Sequence, residues 1–504
     1  TYQRRVPPGS YEDFAGPIRR IFSGEANVLT REPVRLLEPT SGTSGGEKLI
    51  PYTAGLRRQF QRGIAAWVAD LFRRRPSVRR GRAYWSISPA LGPPRRSSGG
   101  LPIGFDADAA YLGSLEQWAL RKLLVTPAAV AQLADIEAFR YCTLRSLLAA
   151  EDLSLISVWS PTFLNALLDS LDGWRGRLCA DLLRGTLDPP APLAAELASR
   201  LRQWILPDPA RADRLARILD DPAPLGDRLR EVWPRLALIS CWADAGAARF
   251  LPELRELFPS VEIQPKGLLA TEGFVSFPMV DRPAAVLAVR CHFFEFEELD
   301  RSSPAPCRLA HELDHHGRYR VILTTAGGLY RYRLHDEIEV VGFYNQCPLI
   351  RFLGKSDLVS DLVGEKLAEP HVRDVLDRLP TLRVIQPRFA LLVPVLDRPP
   401  RYRLYIQGPA AAAADSSLDA LRVELQRGLE ENPYYRHAIG VGQLGVVEVA
   451  ALDPAAEPAW LLYEQHCLGE GQRCGDVKPI ALDHRTGWPE RFHPLMIESA
   501  SGRK

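Results

Sequence analysis

Apolar positions along the chain change their spacing twice. Residues 54–75, AGLRRQFQRGIAAWVADLFRRR, repeat apolar side chains at helical intervals beside an arginine-rich face, which predicts a helix. Short continuous apolar runs then alternate with helical patterns. AYWSIS (83–88), LSLISVWS (153–160) and LALISCW (236–242) read as buried strands. Residues 113–150 read as two helices, TFLNALLDSL after Pro161 as another, and 190–233 as helical. A further helix runs to Phe258, before VEIQPKGLLATE. Fully apolar strands alternating with helices predict a largely parallel α/β sheet. From about residue 284 the texture becomes strand-rich: AVLAVRCHFFEFEEL, YRVILTT, LYRYRLHDEIEVVGF and LIRFLG. After about 355 a smaller α+β unit is expected, with strands FALLVPVL, YRLYIQ and GVVEVAAL around the helix SLDALRVELQRGLEE. The expected organisation is a large N-terminal domain over 1–354 and a small C-terminal domain over 355–504. PAAAAAD (409–415) is a low-complexity surface stretch, and no internal repeat is found.

The chain has 504 residues, 46% hydrophobic and 25% charged, with a net charge of +2. That balance gives no bulk electrostatic reason to expect a nucleic-acid or membrane partner. No window approaches the roughly 18 uninterrupted apolar residues of a membrane span. Eight scattered cysteines without a CxxC pair fit reduced thiols of a cytoplasmic protein. The chain begins TYQRRVPPGS, without Met or an apolar leader, and a preceding segment is expected. Only seven of the 63 basic residues are lysine, as a GC-rich genome would encode: Lys48, Lys122, Lys266, Lys355, Lys366, Lys478 and Lys504. A lysine kept against such a bias is one whose compact point charge arginine does not replace. Five of the seven fall in stretches singled out below on other grounds.

Three segments carry candidate chemistry. PTSGTSGGEKLIP (39–51) looks like a phosphate cradle, since Gly, Ser and Thr bring backbone and hydroxyl donors close to phosphate oxygens. It is not a P-loop. Leu49 stands where the metal-binding hydroxyl belongs. KGLLATEG (266–273) sets a hydroxyl beside a carboxylate after a strand, which suits a nucleotide phosphate and Mg²⁺. In the third segment, 323–369, Asp336 lies between strand patterns, where a carboxylate accepts ribose hydroxyls. GKSD and GEKLAE follow, like a hinge into the small unit.

Taken in order, TSGTSGGEKLIPYT, YLGSLEQW, VWSPTFL, ISCWAD, IQPKGLLATEG, HELDHHGRYRVILTTAGGLYRYRLHDEIEVVGF, FLGKSDLVSDLVGEKLAE, NPYYRHAIGVGQL and GDVKP resemble the auxin-responsive acyl-amido synthetase family. The likeness is closest to its bacterial members, within the superfamily of acyl-CoA synthetases and firefly luciferase. It implies an adenylate-forming fold with a mobile small domain. The implied reaction uses ATP and Mg²⁺ to adenylate a small carboxylic acid, releases pyrophosphate, and passes the acyl group to an amine, usually of an amino acid. It further implies that Ser41, Gly42, Thr43 and Ser44 bind phosphates, Thr271 the α-phosphate, Glu272 the Mg²⁺ and Asp336 the ribose. Lys366 and Lys478 would approach the nucleotide from the small domain, with a hinge at Gly354–Asp357. Tyr111, Trp159, Cys241 and Trp242 stand where the family builds its acyl pocket, although each taken singly reads slightly better as core.

Three positions depart from the family pattern. Leu268 replaces a tyrosine that stacks on adenine, so the stacking is either lost or supplied elsewhere, with Tyr332 the candidate. His335 replaces the glycine before the ribose aspartate. Lys355 replaces the hinge arginine, keeping the charge without the bidentate fork. HELDH (311–315) fits the HExxH zinc pattern, but that pattern needs a helix and here a turn and strand follow, so turn histidines are expected. An acyl-CoA ligase and a non-catalytic nucleotide-binding protein on the same scaffold remain the alternatives. Nothing in the sequence speaks to the oligomeric state.

Overall fold

The structure is a computed structural model, describing residues 2–40, 48–86, 95–104, 123–133, 135–299, 306–355, 358–408, 415–470, 472 and 477–496. Four strands, Arg82–Trp85, Leu153–Ser157, Leu238–Cys241 and Glu262–Pro265, lie side by side in that order, all parallel. Both central strands are buried at every position, which is why they read as unbroken apolar runs. Helices between Ile136 and Leu257 cover one face of the sheet. On the other face Trp67 and Leu71 of the helix Ala54–Arg74 pack with Leu155 and Leu238. Thr53 caps that helix by accepting the Leu56 N–H at 3.1 Å. Its Gly63 permits close approach to the Glu272 hairpin, because a Cβ there would lie 2.3 Å from the Phe274 ring.

The expected strands are present but stop earlier than their apolar runs. The strand from Leu153 ends at Ser157 and that from Leu238 ends at Cys241, leaving Trp159 and Trp242 on the loops beyond. Residues 190–233 form three helices, Ala195–Arg202, Pro209–Asp220 and Leu225–Val232, separated by proline-containing turns. In 113–150 the described part is a 3₁₀ turn, Ala128–Gln132, and one helix, Ile136–Leu148.

The strand-rich region forms a six-stranded antiparallel sheet in the order Ser276–Phe277, Ala285–Leu287, Cys347–Lys355, Tyr332–Tyr344, Arg318–Thr324, Phe293–Glu298. Beyond it, strands Phe389–Val395, Arg401–Gln407 and Glu448–Leu452 form a separate three-stranded sheet. The helices Glu369–Arg378 and Asp415–Leu429 pack with this sheet around its own core. The helix Ala459–Gly469 joins the two parts: Trp460 lies 5.3 Å from the Phe250 ring, and Glu464 pairs with Arg140 at 3.2 Å.

Candidate active site

Ligands of open α/β sheets bind outside the carboxyl ends of the strands. In the parallel sheet those ends carry Trp85, Trp159, Trp242 and Lys266. The Lys266 ammonium donates to the Ser157 hydroxyl at 2.8 Å. It lies 5.5, 5.7 and 5.0 Å from the ring centroids of Trp67, Trp85 and Trp159. Trp67 is fixed by its indole N–H, which donates to Gln264 Oε1 at 2.9 Å. Trp242 donates its backbone N–H to Trp159 O at 2.8 Å, and the two rings are 5.7 Å apart. Lys478, from the C-terminal part of the chain, completes the group with its Nζ 5.0 Å from the Trp242 centroid. These are aromatic walls with two ammonium groups beside them. Asp244, two residues beyond Trp242, has its carboxyl pushed up to about 6 by burial, against a smaller pull from Arg351.

The chain runs from Lys266 into a tight hairpin whose strands, Leu269–Ala270 and Gly273–Phe274, pair across Thr271 and Glu272. Tyr52 OH donates to Thr271 O at 2.6 Å, and Tyr332 OH donates to Glu272 Oε1 at 3.2 Å. Glu272 is buried. The hairpin is further braced by the Phe274 N–H, which donates to His292 Nε2 at 2.9 Å. Burial pushes the His292 imidazole down to about 4, so it is the neutral ring that accepts this bond.

Tyr332 does not present a stacking face for adenine, contrary to the expectation. It is 2% exposed, with its ring edge-on to Phe14 at 5.9 Å and its hydroxyl on Glu272. Cys241 is likewise core, not pocket wall: it is fully buried, and burial raises its thiol to about 12.

Asp336 sits among core-facing positions of the strand Tyr332–Tyr344, buried, with Lys355 Nζ at 3.8 Å. The neighbouring strand pairs Arg320 with Glu337 but Ile322 with Arg333, so residues 334–336 bulge out of the ladder. His335 has a φ of 63° in that bulge. This left-handed conformation is one glycine adopts freely, which explains the residue type the family pattern has there.

Ser41, Gly42, Thr43, Ser44 and Tyr111 lie outside the described residues. The segment holding the first four connects the paired strands Val34–Pro39 and Leu49–Thr53. At its base Thr40 N donates to Lys48 O at 2.8 Å, and Lys48 Nζ lies 5.6 Å from the Tyr11 centroid. Lys366 is exposed, with a φ of 44°, on a turn built around the buried Glu365 carboxylate. That carboxylate accepts the N–H groups of Leu362 and Val363, both at 2.8 Å. The structure therefore brings Lys478 to the aromatic group and leaves Lys366 in solvent. The HELDH histidines are turn residues: His311 lies in a 3₁₀ turn, Ala310–Glu312, and His315 in the turn before the strand Arg318–Thr324. Among the described residues no group of three or more His, Cys, Asp or Glu is placed to hold a metal.

The GH3 family N-terminal domain matches residues 1–263, and the GH3 family central domain matches 285–355. The chain belongs to the GH3 family. Indole-3-acetic acid-amido synthetase GH3.10 of Arabidopsis thaliana is 26% identical over 521 residues, covering 94% of this GH3 chain and 83% of its own. Indole-3-acetic acid-amido synthetase GH3.8 of Oryza sativa subsp. indica is 24% identical over 492 residues, 90% of this chain and 78% of its own. The solved AtGH3.15 acyl acid amido synthetase in complex with 2,4-DB superposes with a TM-score of 0.82 at 20% identity, over 99% of this chain and 88% of that one. The mixed α/β fold expected from the sequence is thus that of the solved acyl acid amido synthetase. Sequence reading missed Trp67 and Trp85, which it placed in a helix with an arginine-rich face and in a buried strand. Their shared site exists only once the helix crosses the sheet.

Proposed function

We propose that this GH3 chain is an ATP-dependent acyl-amido synthetase. It adenylates a carboxylic acid, releases pyrophosphate and transfers the acyl group to an amine, usually of an amino acid. Family membership gives the reaction class. The observation that carries the site is the set of aromatic side chains and ammonium groups at the carboxyl edge of the parallel sheet. Trp85, Trp159 and Trp242 offer flat apolar walls to the body of an acid, and an aromatic acid suits them best. Lys266 and Lys478 offset the charge of its carboxylate as that group meets the α-phosphate, itself an anion. A carboxylate oxygen attacks the α-phosphorus, the bond to the pyrophosphate oxygen breaks, and pyrophosphate leaves with the electron pair. The amine nitrogen then attacks the acyl carbon, AMP departs, and the nitrogen loses a proton.

Ser41, Gly42, Thr43 and Ser44 are proposed to grip phosphates, Thr271 the α-phosphate, and Asp336 the ribose hydroxyls. Mg²⁺ fits this donor set. The buried Glu272 carboxylate, steadied by Tyr332 OH, is a single protein ligand of the kind Mg²⁺ takes beside phosphate oxygens and waters. Bound there, the ion would neutralise charge on the departing pyrophosphate. Glu272 would hold it, and Tyr332 would hold Glu272.

The proposal includes two units, 1–354 and 355–504, moving about Gly354–Asp357 between adenylation and transfer. The separate core of the three-stranded sheet supports that division. It also includes a cytoplasmic setting. The seven described cysteines are free thiols, and no helix among the described residues is long and apolar enough to cross a membrane.

The test is acid-dependent ATP–pyrophosphate exchange over a panel of aromatic and aliphatic acids, followed by product mass with amino acids against coenzyme A. Amide products are expected. Thioester products would make the chain an acyl-CoA ligase. Absence of exchange with every acid, together with unchanged ATP binding in Glu272→Ala, would reduce it to a nucleotide-binding protein.

A further inference from the structure

The geometry points to Trp242 as a positioning residue: its indole face seats the ammonium of Lys478 at the acyl site and so sets the conformation in which the acid is adenylated. This rests on the reaction proposed above. Lys478 reaches the site from the C-terminal part of the chain, where Tyr463 OH donates to its backbone carbonyl at 3.2 Å. Its Nζ stands 5.0 Å from the Trp242 centroid, within the range at which an indole face attracts a cation.

The platform is rigid. Trp242 directly follows the buried strand Leu238–Cys241. Its backbone N–H is held by Trp159 O at 2.8 Å, and the next strand is tied on by Lys266 N donating to Cys241 O at 2.8 Å. The partner is movable: Lys478 lies past the helix Ala459–Gly469, in the part proposed to swing. A cation–π contact is weak enough to be made and broken in each cycle, which suits a step that must be reversed. An aromatic surface also adds no negative charge beside an incoming carboxylate. Lys366 is exposed in the same arrangement, so the two lysines are not at the site together.

Losing such a contact lowers the occupancy of the seated state by about three- to thirtyfold. Trp242→Leu is therefore expected to lower kcat of acid-dependent ATP–pyrophosphate exchange by about that factor. Aminolysis of a supplied acyl-adenylate, which loses only the Trp242 wall on the acyl group, should fall by less than exchange does. Trp242→Phe, which retains a ring face, should recover part of the exchange. Trp242→Leu should cost exchange less in a Lys478→Met background than in the wild type. A readout free of catalysis is acetylation of Lys478 by a small electrophile, followed by peptide mass spectrometry, which should be faster in Trp242→Leu than in wild type. Equal loss in both half-reactions, an effect confined to KM for the acid, or unchanged acetylation would overturn the proposal. Wild-type protein without exchange on any acid would instead sink the assigned reaction, with the acetylation result still deciding whether Trp242 seats Lys478.

Discussion

Removing one oxygen from Tyr332 separates two roles for this side chain. If Tyr332 stacked on adenine, Tyr332→Phe would keep the ring and leave ATP affinity unchanged. In the structure the ring is buried against Phe14 and the hydroxyl donates to Glu272 at 3.2 Å. A hydrogen bond to a charged group contributes about 1.5–3 kcal/mol. This one is longer than the roughly 2.5–2.7 Å of strong hydroxyl–carboxylate bonds, so the lower end applies, about 1.5 kcal/mol. At about 1.4 kcal/mol per factor of ten, Tyr332→Phe should weaken Mg²⁺-dependent ATP binding about tenfold. The assay is a Mg²⁺ titration at fixed ATP, read by the thermal shift of the protein and by pyrophosphate exchange. The shift with ATP and Mg²⁺ should shrink, while the melting temperature without them changes little. Tyr332→Phe with a wild-type Mg²⁺ response, alongside a Tyr332→Leu that loses ATP, would refute the reasoning and restore the stacking role.

Three further outcomes follow from single contacts. His335→Val places a β-branched residue at a φ of 63° and should destabilise the protein by about 1–2 kcal/mol in urea denaturation, whereas His335→Gly should be close to neutral. His292 is held near 4 by burial, against about 6.5 in an unfolded chain, so below about 6.5 the unfolded state takes up a proton that the folded state refuses. Stability should therefore be complete above about pH 6.5 and fall by up to about 3 kcal/mol as pH drops toward 4, and His292→Gln, which keeps an acceptor for Phe274 N, should flatten that slope. Glu464→Leu leaves Arg140 buried without its 3.2 Å partner and should cost about 3–5 kcal/mol, most of it recovered when Arg140→Met is added, as a double-mutant denaturation cycle would measure.

The parallel sheet was legible because its strands are buried on both faces, and continuous apolar runs such as LSLIS leave a strong signal. The exact strand ends were not, since the apolar character continues past Ser157 and Cys241 into the site. That continuation fits the proposed site, where Trp159 and Trp242 are assigned as walls, and period alone does not distinguish a wall from a core. Cys241 and Trp242 are adjacent and equally apolar in sequence, yet one faces the core and the other the site. Glu272 and Asp336 were legible as carboxylates in unusual company, and both are buried. What held them was not, because Tyr332 reaches Glu272 from 60 residues away. Motif reading failed in the opposite direction at HELDH, where residue types matched a metal site while the strand that follows denied them a shared face.

The departures from the family pattern carry a physical argument of their own. A glycine before the ribose aspartate looks like a requirement for space, and histidine in its place looks like a lost function. The backbone says otherwise. His335 adopts the left-handed conformation the bulge needs, so the register of Asp336 survives the substitution. Lys355 is the Cα partner of Asp336 across the ladder. A point charge at 3.8 Å from that carboxylate offsets its charge without engaging both oxygens, as an arginine fork would. Both exchanges preserve where the carboxylate is and what charge faces it, while changing how it is braced. On the proposed ribose role, what is constrained at this position is the placement of Asp336, and the residues around it are free to vary as far as they hold that placement.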